Sequence, residues 1–290
     1  MQPELMKAGK ARAWGLPAAA NFILGGAGAG LYLLTSVRLL MGAGPPEGLL
    51  PAALVGLGFL SVSLESGRPW RGAYLLSNLR NSWMSIEVLS GAIFIGAIVI
   101  DQFISSPALK AIAACAAFEL VMSHGFMVYR ARAMSAWNMP GMPFQFLTSG
   151  LVLGGGVLFM LCGLQRSALD TGILTVILVC LLADIAVWML YVWLPRGAAF
   201  RSATAFLRRP ISLASVMGLG HLLPACLLIA LILTGGVHLN AEVSHLIIAL
   251  AGLCMLAGGA AQKIVLILGA NLFRSITMGE PRRYGPVPGK

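Results

Sequence analysis

The sequence predicts an all-α integral membrane bundle of eight transmembrane helices, with both termini on the same, cytoplasmic, side. Three observations lead there. Apolar residues make up 58% of the 290, with 35 glycines besides, while charged residues are only 10%, against about one quarter in a soluble domain. The apolar residues fall in eight runs, each close to the roughly 20 residues that a helix rising about 1.5 Å per residue needs to cross a bilayer. The basic residues are lopsided. Sixteen of those outside the runs lie in the amino-terminal segment, the loops after even-numbered runs and the carboxyl tail, against Lys110 and Arg166 on the other side. Short loops rich in Lys and Arg stay in the cytoplasm, so this asymmetry orients the chain and requires an even number of spans. A membrane barrel would show alternating segments of about 10 residues, and these runs do not alternate.

The chain, 1–290, reads as a single membrane domain. Its first span, 15–41, follows Lys7, Lys10 and Arg12. That resembles a signal-peptide leader, but the apolar stretch is about twice as long as a signal core and reads as a retained span. Spans two (49–66) and three (83–105) flank the longest motif-bearing loop, and span four covers 108–130. Spans five to eight are expected over 143–165, 170–195, 211–234 and 243–273. Glycines at helical spacing, Gly26 with Gly30, Gly150 with Gly154, and Gly258 with Gly259, let backbones approach closely, the usual basis of helix packing in lipid. Trp14, Trp70, Trp83, Trp137 and Tyr129 fall on the basic side, where an aromatic belt marks the interface.

Composition also excludes. The net charge of +10 is scattered singly or in pairs between apolar runs instead of gathered on one polar face, so no nucleic-acid partner is expected. Cys115, Cys162, Cys180, Cys226 and Cys254 all lie inside apolar runs with no C-x-x-C and no His at ligand spacing. They read as small buried hydrophobes, and no metal or iron-sulfur cluster is expected in this chain. Haem between helices would need facing histidines at matching depth; only His124 and His221 lie deep, at unequal depths.

Ionisable residues inside spans are costly and need a reason. One group lies near the basic face: Asn21 in the first span, Glu65 at the end of the second, Glu87 one turn into the third and Tyr129 at the end of the fourth, with Arg68, Arg71 and Arg80 in the loop above. An apolar hollow with a few convergent polar groups is the composition of a binding pocket. The alternative is that Glu65 and Glu87 pair with the loop arginines and hold the loop down. A second group, Glu119, Asp184, His221 and Lys263, stands about 10 to 12 residues from the basic end of each helix, about 15 to 18 Å deep and near the midplane. These four either neutralise one another, Lys263 with Asp184 or Glu119, or pass protons, with His124 as the link to the first group.

The segment Leu64-Glu65-Ser66-Gly67-Arg68-Pro69-Trp70-Arg71, then Asn78 and Asn81-Ser82-Trp83-Met84-Ser85-Ile86-Glu87, resembles the span-two to span-three signature of the NrfD/polysulfide reductase superfamily. Val128-Tyr129-Arg130, Ser135-Ala136-Trp137-Asn138-Met139-Pro140 and Pro143-Phe144 ahead of a glycine-rich fifth span look especially like the dimethyl sulfoxide reductase anchor-subunit (DmsC-like) branch. The resemblance implies a quinone- or menaquinone-binding anchor without cofactors of its own. Its partners would be a ferredoxin-like iron-sulfur subunit and a molybdenum or tungsten bis-pterin catalytic subunit in a bacterial or archaeal cytoplasmic membrane. It implies a quinol beneath the iron-sulfur subunit, Glu87 as the catalytic acid at the start of span three, and Tyr129 as the matching tyrosine of span four. Glu65 stands where the branch usually has His before Leu-Gly-x-Pro, which keeps a proton acceptor and removes a donor that titrates near neutrality.

Quinol oxidation releases two electrons and two protons, so a site needs a hydrogen-bond partner at each ring oxygen and a base leading to water. Glu87 suits the base, Tyr129 or Asn21 the other oxygen, and Arg68 and Arg71 the charge on the ring. The expected function is the quinone-reactive subunit of a membrane oxidoreductase, exchanging electrons between the quinone pool and the iron-sulfur partner. The competing expectation is a proton- or ion-coupled secondary transporter using Glu119, Asp184 and Lys263. Transporters of that kind carry paired repeats, and no repeat relates the two halves of this sequence.

Overall fold

The computed structural model describes residues 4–6, 14–42, 48–65, 76, 79–166, 170–194, 197–234, 241–270 and 276–277. Among them, regular structure is helical apart from one short antiparallel pairing, Glu4–Met6 (β1) with Ile276–Thr277 (β2), which brings the two tails together. Seven helical stretches are long and apolar enough to cross a membrane, and the chain is a multi-pass membrane protein.

Local chemistry sets the helix ends. Leu16–Leu40 (α1) has proline in its first turn, where a missing N–H costs nothing. Trp83–Ile104 (α3) starts at Ser82, whose side chain accepts the amide N–H of Ser85. It ends at Ser105, in the left-handed region at φ 49°, and the Asp101 carboxylate accepts the next amide, Ser106, at 2.8 Å. That tight corner launches Pro107–Arg130 (α4) directly. Met142–Gln165 (α5) and Thr171–Trp193 (α6) follow. Past α6 lies a short helix, Ala198–Ala203 (α7), then a 3-10 turn over Ala205–Arg208. The Arg208 guanidinium donates to the carbonyl of Val192 at 2.9 and 3.2 Å, occupying one of the orphan acceptors at the end of α6.

The second expected span, 49–66, is a helix over Leu50–Glu65 (α2), within one residue of its expected limits; its 16 described residues run about 24 Å at 1.5 Å per residue, short of a hydrocarbon core of about 30 Å. The seventh is a composite rod: Pro210–Leu213 (α8), a wide π-helical stretch over Ala214–Leu222, then Leu223–Thr234 (α9). Pro224 explains the wide turn, because a proline inside a helix removes one N–H and crowds the carbonyl four residues back, here that of Gly220. Ala241–Ile264 (α10) runs on into a second π-helical stretch, Val265–Gly269. The cysteines also divide: Cys162 and Cys254 are buried, whereas Cys115 and Cys226 lie on the outer surface of the bundle.

Helices α1 and α5 are the two central rods. The first packs on α2, α4 and α5, and the second on α1, α4, α6 and α10. They cross where the expected glycines stand. A Cβ at Gly30 would collide with the Gly150 carbonyl, and one at Gly154 with the backbone of Gly30 and Leu31. Nothing larger than hydrogen fits there, so Gly30→Leu is expected to cost about 3 kcal/mol or more through overpacking and to lower the melting temperature of the detergent-solubilised protein. A melting temperature equal to that of the unsubstituted protein would mean the crossing is loose.

Candidate functional site

The first span-borne polar group converges as a compact site. Helix α1 presents Asn21, α3 presents Glu87 one turn past its serine cap, and α4 presents His124; each is 5% exposed or less. The Asn21 carboxamide donates Nδ2–H to Glu87 Oε1 at 2.7 Å. His124 Nε2 stands 2.9 Å from the same oxygen, but off the hydrogen-bonding axis, and neither ring nitrogen has a formed hydrogen bond. An acid and a base are thus in close contact with no water between them. The imidazole is held by aromatic edges, Phe22 at 5.0 Å and Phe146 at 6.4 Å between centroids, and by Gly25, where a Cβ would come within 2.8 Å of the ring.

Asn21 and Glu87 form the polar end of a hollow of about 470 Å³. Apart from Ser63 its walls are apolar: Trp14, Phe22 and Phe59, with Met84, Val88 and Met127. Trp14 is itself braced on Phe22 and Trp137. The hollow lies among α1, α2, α3 and α4; α2 and α3 touch sparingly, and Met84 on its wall is 42% exposed.

A second cluster centres on Asp184 of α6, which is completely buried. Thr148 donates to its Oδ1 at 2.6 Å and Gln145 at 2.9 Å. Gln262 donates to Oδ2 at 3.0 Å, and His221 Nε2 lies 2.7 Å from the same oxygen. The other ring nitrogen of His221 is 2.6 Å from the carbonyl oxygen of Val216, inside the π-helical stretch, so both nitrogens face oxygen acceptors. Two acceptors around one ring require two protons: either the imidazole carries both, or Asp184 carries the second. The pair therefore stores a proton between Nε2 and Oδ2. Next to Gln262, the Lys263 ammonium sits 3.4 Å over the centre of the Phe146 ring, a cation-π contact in a dry setting.

Several expectations for individual residues need correction. Tyr129 is half-buried against the core cluster at the end of α4 and does not line the hollow, because its position falls one helical face away from Met127, which does. The Glu65 side chain, Arg68 and Arg71 lie outside the described residues, and Arg80 is exposed. The second group is not one cluster of four: His221 meets Asp184 directly, while Glu119 does not join them. Lys263 lies within electrostatic reach of Asp184 while its amino group rests on an aromatic face, and Glu119 stands apart, half-buried on α4. Nor do the five expected relay residues form one route: Phe146, an apolar ring, separates His124 from Lys263.

Sequence reasoning missed Gln145, Thr148 and Gln262, the donors that hold Asp184. Uncharged polar residues in an apolar span were visible as such, but only the fold shows that three of them meet one carboxylate. No model of a known protein family and no curated protein matches this chain.

Proposed function

We propose that this chain is the membrane anchor and quinol-binding subunit of a molybdenum- or tungsten-dependent oxidoreductase, passing electrons from the quinone pool to an iron-sulfur partner. One observation carries the reading: a carboxylate in contact with an imidazole and an amide closes one end of an apolar hollow among α1, α2, α3 and α4. A quinol is an apolar molecule with two hydroxyls, and it reaches a protein from within the bilayer. A hollow of about 470 Å³ is within the range of small-molecule sites and holds a substituted ring, while the isoprenoid tail leaves through the gap between α2 and α3. One ring hydroxyl donates to Glu87, which accepts the proton and shares it with His124; Asn21 holds the carboxylate in place. The electrons leave through the partner subunits, whose clusters supply the redox chemistry.

The basic loops support a reading in which this end of the bundle, both tails and the partner face lie in the cytoplasm of a bacterial or archaeal cell, where those loops would offer an acidic partner a docking surface. Eight crossings, with α2 as a short one, keep both tails on that side, in accord with the pairing of β1 and β2. The transporter reading is weaker. Asp184, its best ion ligand, already has both oxygens filled by four partners.

Substitution within the hollow tests the proposal. Val88→Trp fills the space beside Glu87, so the variant complex, purified in mild detergent, is expected to retain the iron-sulfur and catalytic subunits and lose most of its bound quinone by extraction and chromatography. Undiminished quinone in an intact complex would move the site elsewhere.

A further inference from the structure

A second hollow, of about 470 Å³, lies where the connection between α6 and the seventh rod meets the end of α10. Its lining has two characters. Ser202 and Arg209 come from the connection, while Ile264, Val265 and Leu268 share one face at the end of α10. Ile264 belongs to the last membrane-crossing helix and is 36% exposed, so its outer side meets acyl chains. Arg209 is exposed and immediately precedes Pro210, the first residue of the seventh rod, which places it at the level where that rod enters the bilayer. The hollow therefore runs from an ionic edge to an apolar wall across the membrane boundary.

Three arginines gather in this connection, Arg201, Arg208 and Arg209. Arg208 is spent on backbone carbonyls, Val192 at 2.9 and 3.2 Å and Arg201 at 3.2 Å. Arg209 is held differently. Its guanidinium carbon lies 5.1 Å from the centre of the Phe206 ring, and Phe206 in turn rests on Gly269, where a Cβ would collide with the ring. Both Phe206 and Gly269 line the hollow. A guanidinium stacked by its face keeps its edge of N–H donors free, and that planar edge matches the oxygens of a phosphate. Among the described residues no carboxylate forms a salt bridge with Arg209. The elements that build the hollow cannot supply one either, because neither 197–234 nor 243–270 contains Asp or Glu.

A small soluble anion would answer the guanidinium and leave the apolar wall bare. A neutral lipid would cover the wall and leave the charge. A zwitterionic headgroup brings its own cation into a corner that already holds three. A phospholipid of net negative charge meets both halves of the lining, and basic hollows between membrane helices are suited to such headgroups. We propose that this hollow is a site for an anionic phospholipid, its phosphate held by Arg209 and Ser202 and the start of one acyl chain laid over Ile264, Val265 and Leu268. The site shares no lining residue with the first hollow and stands whether or not that one takes a quinol.

The experiment uses the full chain, delipidated in mild detergent and titrated with phosphatidylglycerol or, separately, phosphatidylcholine, with bound lipid counted by native mass spectrometry. One phosphatidylglycerol is expected to bind more tightly than any phosphatidylcholine. Arg209→Gln is expected to weaken that molecule about tenfold, the worth of one charge-assisted contact. Arg132→Gln removes the same charge from another exposed position on the basic side and is expected to leave it unchanged. Leu268→Trp fills the apolar part, keeps the charge, and is expected to weaken the same lipid. Excess inorganic phosphate at matched ionic strength is expected to leave the lipid bound. Equal binding of the two lipids overturns the proposal, as does an equal loss in Arg209→Gln and Arg132→Gln, which is diffuse attraction to a basic surface. Displacement by phosphate makes the occupant a free anion and overturns it too. Phosphatidylglycerol held undiminished by both Arg209→Gln and Leu268→Trp places the lipid elsewhere.

Discussion

In the assembled oxidoreductase, Glu87→Gln is expected to reduce quinol-dependent turnover by at least a hundredfold while subunit assembly and the dye-linked activity of the catalytic subunit stay intact. The substitution preserves size and can still meet Asn21, which donates to Oε1 at 2.7 Å. What it removes is the proton acceptor at the only carboxylate that lines the first hollow among the described residues. General-base contributions of this kind are worth roughly 10²- to 10⁴-fold, and His124 cannot replace the lost base directly, because it lies behind Glu87 and is not among the lining residues. Steady-state assays with a short-chain quinol, run beside a dye donor that bypasses the membrane subunit, separate the two activities. Quinol turnover that survives at its original rate would take Glu87 out of the mechanism.

The largest effect on stability is expected at Asp184. Asp184→Ala strands three donors, Gln145, Thr148 and Gln262, and leaves His221 Nε2 without its partner. Removing one partner from a buried charged pair costs about 3–5 kcal/mol, and here α5, the π-helical stretch and α10 all lose their common tether to α6. Asp184→Asn keeps one oxygen acceptor and the shape, so it is expected to lose clearly less. Thermal unfolding in one detergent, followed by intrinsic tryptophan fluorescence, ranks the three proteins. If alanine and asparagine destabilise equally, the cluster is held by packing and not by its hydrogen bonds.

Most of the architecture was legible because lipid imposes a length and a polarity on every crossing. Seven of the eight expected spans recur as long apolar helices within a few residues of their predicted limits, and the glycines expected to let helices touch do so at Gly30, Gly150 and Gly154. The second span was legible too: its expected limits, 49–66, match the helix Leu50–Glu65 to within one residue at each end. Within the candidate site, Asn21, Glu87 and His124 stood out because polar atoms in an apolar run must find each other. Tyr129 misled for the same reason, since depth along a helix fixes a level and not a face. The Asp184 cluster was foreseen as costly charges that needed company. That its company is two glutamines and a threonine, with Lys263 resting on Phe146, depends on the rotation of four helices about their axes, and no single run of sequence encodes that.

The wide turn over Ala214–Leu222 has a consequence for any future alignment. A π-helical turn carries one more residue than the α-helical turn it replaces, so a relative wound regularly through this stretch would be one residue shorter there. Pairing the two without a gap would put Leu222 or Gly220 opposite the residue equivalent to His221, and the histidine that faces Asp184 would look absent from a protein that has it.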